Sequence, residues 1–166
     1  MSKPLDVLLV TPPSRVQVYQ ELSRDFAAIE PPVWSGLIAT YLRQQGCSVA
    51  ILDAEAQGFN HQQTAEQIAA AAPRLAVFVI YGQQPSASTQ CMPAGRKVCE
   101  ILNTLADIPT LVMGTHPSAL PKRTLLEEPW GPRARGAGAR RRPRRWQGVR
   151  SPGRLPAGPA PCPGSC

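Results

Sequence analysis

Histidine is scarce in this chain, aromatic residues are few, and residues 130–166 carry no acid at all. His61 and His116 are the only histidines, and Phe, Trp and Tyr make up 5% of 166 residues. Two histidines and scattered cysteines give none of the ligand spacings of a zinc site. No Gly-x-x-x-x-Gly-Lys occurs, which excludes a P-loop, and no Gly-x-Gly-x-x-Gly follows the first strand, which argues against an ordinary dinucleotide site. No apolar run approaches the roughly 20 residues that span a bilayer. Met1 to Lys3 leads straight into a strand-like run, so no secretory leader is visible. A soluble, cytoplasmic protein is expected, and five cysteines without a framework suit a reducing compartment.

The formal charge of +7 is misleading. Residues 1–129 hold nine Lys or Arg and eleven Asp or Glu, a balance of −2; residues 130–166 hold nine Arg and no acid. From Trp130 the composition turns to Arg, Gly, Pro and Ala, with no Ile, Phe, Tyr, Asp or Glu. Such a segment buries too little apolar surface to offset its ordering entropy, so residues 130–166 are expected to be disordered. Two readings of this tail stand. One is a basic arm that contacts nucleic acid through phosphates. The other is a shifted reading frame in a GC-rich gene, truncating the domain after about residue 129. Basic arms usually carry Lys as well as Arg, and this one carries none, which weighs against nucleic acid. The terminal Cys162-Pro163-Gly164-Ser165-Cys166 holds only two of the thiolates that an iron–sulfur cluster needs.

Hydrophobic content of 43% supports a real core in the remainder. The organising stretch is Ser48 to Gly58. Val49 to Leu52 is an apolar run that reads as a buried strand, Asp53 stops it with a charge, and Gly58 supplies a free turn. Val7 to Val10 is a first strand, ended by Thr11-Pro12-Pro13. Ser14 to Glu30 is a long loop with a short helix near Tyr19 to Phe26. Pro31-Pro32 opens a helix with an apolar stripe of Trp34, Leu37, Ile38, Tyr41 and Leu42, in which Gly36 suggests close packing on a sheet. Gly46 is a left-handed stop. Thr64 reads as the cap of a helix over 65–72, ended by Pro73. Leu75 to Ile80 is a third strand, buried on both faces. Tyr81 to Gln90 is a polar loop, and a helix follows from Pro93 to Leu105 with Val98, Ile101, Leu102 and Leu105 on one face. Thr110 to Met113 is a fourth strand, and Leu120 to Glu127 begins a further helix.

This alternation predicts an α/β fold, a flavodoxin-like or Rossmann-like parallel sheet in the order 2-1-3-4 with the fifth strand missing. The domain is expected over residues 5–128, followed by the disordered tail. That order gathers four loops at the carboxyl ends of the strands, where ligands bind in open parallel sheets. The loops run from Thr11 to Arg15, Asp53 to Gly58, Gly82 to Ser88 and Gly114 to Pro117, and they are poor in catalytic groups. His61 reads as solvated. His116 reads equally as a turn residue or as a ligand contact. A phosphoacceptor receiver is rejected, because Thr11-Pro12-Pro13 stands where an acidic pair is needed.

Four stretches then carry a resemblance: L-L-V-T-P-P, E-P-P-V-W-S-G-L-I-A-T-Y-L-R-Q-Q-G, V-A-I-L-D-A-E-A-Q-G and G-T-H-P-S-A-L-P. Residues 5–128 resemble the N-terminal cobalamin-binding domain of cobalamin-dependent radical S-adenosylmethionine proteins. In the last stretch Met113 stands where the family usually has the first of two glycines. Cobalamin-binding domains often carry Asp-x-His-x-x-Gly, whose His coordinates cobalt. Here Asp53 and Gly58 keep that spacing while Glu55 stands in the His position, as is common among the radical S-adenosylmethionine relatives.

The resemblance implies a base-off corrinoid whose lower face meets the Asp53–Gly58 loop without imidazole. Its nucleotide tail is expected between strands near Gly82 to Ser88 and Gly114 to Pro117. The implied binding residues are Thr11, Pro12, Asp53, Glu55, Gly58, Gly82, Gln83, Ser86, Ser88, Gly114, Thr115, His116 and Pro117. The glycines allow close approach, and the hydroxyls can bond phosphate and ribose. In such relatives a barrel with an iron–sulfur cluster and S-adenosylmethionine follows, so this portion alone is expected to bind cofactor rather than catalyse. The alternatives are nucleic-acid binding through the tail and a flavodoxin-like domain for another nucleotide.

Overall fold

The computed structural model describes residues 4–15, 18, 29–82 and 85–130. The expected helix at Tyr19 to Phe26, the tail from residue 131 with its expected disorder and its terminal cysteine pair, Gln83 and the side chain of Ser86 lie outside the described residues.

Among the described residues four strands and five helices follow in order: β1 (Val7–Thr11), α1 (Val33–Gln44), β2 (Val49–Asp53), α2 (His61–Ala71), β3 (Leu75–Val79), α3 (Pro85–Leu105), β4 (Thr110–Met113), α4 (Thr115–Ala119) and α5 (Pro121–Glu127). The sheet is all parallel, in the order β2-β1-β3-β4. This is the α/β, flavodoxin-like order expected. Short apolar strands separated by helices cannot pair as hairpins, and parallel pairing with crossover helices is what remains. β1 is central. Val7 to Thr11 lies against Val49 to Asp53 on one edge, and Val7 to Val10 lies against Leu75 to Phe78 on the other.

The two faces are covered unequally. Leu8, Val10, Ala76, Phe78 and Ile80 meet Ala65 and Ile68 of α2 and Met92, Val98 and Leu102 of α3 in the larger core. The opposite face, with Leu9, Val77 and Val79, meets Ala39 of α1. Leu111 of β4 is in register with Val77 on that face but stays 44% exposed, because α1 packs on β1 and β2.

Several local expectations are corrected. The buried side of α1 is Ser35 and Ala39, while Trp34, Leu37 and Tyr41 of the expected stripe are exposed. Small residues let the helix sit close to the sheet, and the large ones are left outside. A Cβ on Gly36 would meet nothing within 4 Å, so that glycine does not mark close packing. The cap of α2 is Asn60, not Thr64. Gln63 N donates to Asn60 Oδ1 at 2.8 Å, and Asn60 N donates to Gln63 Oε1 at 3.0 Å. This reciprocal box starts the helix one turn early, and Thr64 is spent as a buried donor to the Asn60 carbonyl at 2.7 Å.

The third helix begins at Pro85 rather than Pro93, so the reading of 81–90 as loop fails over 85–90. Pro93 lies inside that helix on its exposed side. Leu105 is exposed, not part of the buried face.

Trp130, where the composition breaks, is nonetheless packed. It is 4% exposed, and its ring meets Phe78 edge-on at 4.9 Å between centroids. Gly95 makes room for it: a Cβ there would stand 2.6 Å from Ile80 Cδ1 and 3.3 Å from Trp130 Cη2. Among the described residues no helix is long and apolar enough to cross a membrane.

Truncating a buried aromatic leaves a cavity and removes its transfer energy. Trp130→Ala is therefore expected to lower unfolding stability by about 3–5 kcal/mol, measured as a reduced midpoint in urea with an unchanged slope. An unchanged midpoint would show that the ring is not part of the folded core.

Candidate functional site

The parallel register brings the carboxyl ends of β1, β2 and β3 to one rim, and a cleft of about 380 Å³ opens there. The floor is Thr11 from the end of β1 and Val79 from β3. One wall is the first turn of α1, from Pro32 to Ser35, and the other is Tyr81, Gly82, Ala87 and Cys91. Ser14, Arg15, Val18, Glu30, Pro31 and Glu55 complete the lining.

Glu55 is held in this cleft by its local turn. Asp53 Oδ1 accepts from Ala56 N at 3.1 Å, Gly58 N donates to the Glu55 carbonyl at 3.1 Å, and Gly58 sits at φ 65°. The turn points the Glu55 carboxylate across to the β1 loop, where Arg15 N donates to Oε1 at 3.0 Å and Arg15 Nε lies 4.0 Å from Oε2. Burial nevertheless outweighs these favourable contacts and raises the carboxyl above its ordinary value of 4.5. The Cys91 thiol is raised too, by burial first, with Glu55 as an adverse charge and a Ser14 hydrogen bond opposing the shift.

Two hydroxyls in the lining are unspent. Thr11 Oγ1 and Ser35 Oγ are buried and have no hydrogen-bond partner among the described residues. Buried hydroxyls are normally satisfied, so a pair of orphans on two residues that line one cleft is informative. At its mouth Trp34 stacks on Tyr81, with centroids 4.9 Å apart and planes at 22°, although Trp34 is 52% exposed.

The expected site residues separate into groups. Thr11, Glu55 and Gly82 line the cleft. Gly82 has to be glycine, since a Cβ would collide with Ala87 Cβ and stand 3.1 Å from its carbonyl carbon. Asp53 and Gly58 shape the turn that presents Glu55, and Pro12 is buried.

Ser88, Gly114 and His116 form a second, closed cluster. Ser88 Oγ donates to the Ile80 carbonyl at 2.6 Å and accepts from His116 N at 3.2 Å. Gly114 has φ 154°, and a Cβ there would collide with the Ile80 carbonyl oxygen. His116 Nδ1 pairs with Thr89 Oγ1 at 2.9 Å. Thr115 opens α4, and Pro117 is buried within it. None of these residues lines the cleft.

His61, expected to be solvated, has a buried Nε2 without a partner among the described residues, and burial followed by the Lys97 charge lowers its pKa below 6.5.

Trp34, Ser35, Tyr81, Arg15 and Cys91 were not among the expected site residues. Ser35 in the apolar first turn of α1 was the available signal, since a lone hydroxyl on a buried helix face needs a partner.

Compared with known families, residues 22–138, more than half of the chain, match the B12 binding domain. No curated protein and no solved structure matches the chain.

The raised Glu55 carboxyl sets a signed pH dependence. Below 4.5 the group is protonated in both folded and unfolded chains, and its burial is not penalised; the stability it contributes there is lost as pH rises through the folded pKa. Glu55→Gln keeps an acceptor for Arg15 N and removes the charge. It is expected to raise the melting temperature at neutral pH, with the gain shrinking towards zero as pH falls below 4.5, followed by thermal melts across pH. A loss of stability at neutral pH would show that the ion pair with Arg15 outweighs burial.

Proposed function

From the premise that the chain belongs to the B12-binding domain family, we propose that it binds a corrinoid at the rim formed by β1, β2 and β3. The observation that carries the reading within the structure is the cleft itself. A parallel sheet presents there a stacked aromatic pair, exposed Trp34 on half-buried Tyr81, beside two unspent hydroxyls, an arrangement that suits a flat, polar-edged ligand. The stack of Trp34 on Tyr81 offers an apolar surface at the mouth, and Thr11, Ser35 and Glu55 offer hydrogen bonds within.

Cobalamin is the corrinoid proposed, held base-off and without protein imidazole. Neither histidine lines the cleft, and Glu55 occupies the facing turn. The turn from Asp53 to Gly58 would then hold the ring as a shaped surface rather than as a cobalt ligand. When bound, the corrinoid supplies a cobalt–carbon bond able to carry a methyl group. The protein's own contribution is to bind the ring, orient it and shield one face from water.

In this reading the chain is the cofactor-holding portion of a radical S-adenosylmethionine enzyme. Iron–sulfur cluster and S-adenosylmethionine chemistry would reside in a separate barrel, and this portion alone is inactive. The resemblance of residues 5–128 to such proteins supports that assignment.

Hydroxocobalamin titrated into the purified full chain is expected to shift the visible corrinoid spectrum and to remain with the protein through desalting. Trp34→Ala removes an exposed ring without opening the core, and is expected to weaken binding roughly three- to tenfold. No spectral change together with no retention would overturn corrinoid binding.

A further inference from the structure

The polar lining of the cleft selects among the groups that a corrinoid carries. The first turn of α1 opens into it without a side-chain cap and without an acid, so the positive end of a twelve-residue helix faces the ligand. Ser35, at 0% exposure, places an unpartnered Oγ in the same lining, and the buried Thr11 Oγ1 joins it from β1. These groups call for an acceptor. Opposite them stands the Glu55 carboxylate, an acceptor that calls for a donor.

Among the described lining residues the Glu55 carboxylate and the Arg15 guanidinium stand together. A phosphate or carboxylate would meet the Glu55 carboxylate. A cation would meet Arg15 and the positive end of α1. A neutral group that accepts on one side and donates on the other meets neither penalty, and a primary carboxamide is such a group.

We infer that the cleft between the end of β1 and the start of α1 is a carboxamide subsite, receiving an amide arm of the corrin periphery. The amide carbonyl accepts from Ser35 Oγ and Thr11 Oγ1, and its nitrogen donates to Glu55. This deepens the corrinoid reading and rests on it. The volume agrees, since about 380 Å³ admits an arm of the ring, whereas a complete corrinoid is far larger. The nucleotide phosphate is thereby placed outside this cleft.

The test compares two corrinoids that both lack the nucleotide, using the full chain and the visible spectrum. Cobinamide keeps its amide arms, and cobyrinic acid has carboxylic acids in their place. Cobinamide is expected to bind at least tenfold more tightly at neutral pH. Ser35→Ala with Thr11→Val is expected to lower cobinamide affinity roughly three- to tenfold without lowering the melting temperature of the unliganded chain, because each change removes a buried hydroxyl that has no partner.

Equal affinity for the two corrinoids, competition by inorganic phosphate, or unchanged cobinamide binding by the double variant would each overturn the inference. A drop in the variant's melting temperature would assign the hydroxyls to the fold and overturn it as well. Hydroxocobalamin separates the two levels: if it binds while any of these results is seen, only the amide subsite fails, and if it does not bind, the corrinoid reading fails beneath it.

Discussion

Everything at the rim depends on β1 being paired along both edges in parallel register. Thr11 lies across from Asp53, and Val10 lies across from Phe78. Three chain reversals are thereby held side by side, and each leaves the sheet at the same end. Parallel strands must be joined by crossovers, so the helix starts gather at that rim as well. The first turn of α1, the Glu55 turn and the Gly82 wall face one another for this reason alone.

The rim then divides into a part with unpaired polar groups and a part whose polar groups are paired. Around the cleft, polar groups are left with capacity: two orphan hydroxyls and a carboxyl raised by burial. Around Gly114 the capacity is consumed, with Ser88 bonded both to the Ile80 carbonyl and to the His116 amide. The contrast is energetic. Unsatisfied buried groups destabilise the empty protein and are tolerated where a ligand can satisfy them, while satisfied groups fix the backbone. Through Ser88 the Gly114–Pro117 turn is tied to the end of β3 and to α3.

The asymmetry of the two faces has a matching cause. α2 and α3 cover one side with a continuous core that reaches Trp130, whereas α1 covers only the β1 and β2 portion of the other. Leu111 is exposed because its register places it on the thinly covered face. Trp130 shows that a composition boundary and a packing boundary need not coincide. A single ring of that size fills the space above Phe78 whatever follows it.

Strand positions, their order and the acidic turn after β2 were readable from residues alone. Apolar runs of four or five separated by helical patterns admit few topologies, and the charge at Asp53 with the glycine at Gly58 punctuates a turn locally. The resemblance to cobalamin-binding domains was likewise carried by contiguous stretches.

What the tertiary structure decided is which polar groups are spent. Periodicity shows that Ser35 and Ala39 share a helix face, but not that the large stripe of α1 points outwards. The onset of α2 rests on the local Asn60–Gln63 box, whereas the bond from Ser88 of α3 to the Ile80 carbonyl is a geometric fact. Whether Ser88, His116, Thr11 or Glu55 meets a ligand depends on partners 28 to 40 residues distant in sequence, and no local pattern encodes which of them find one.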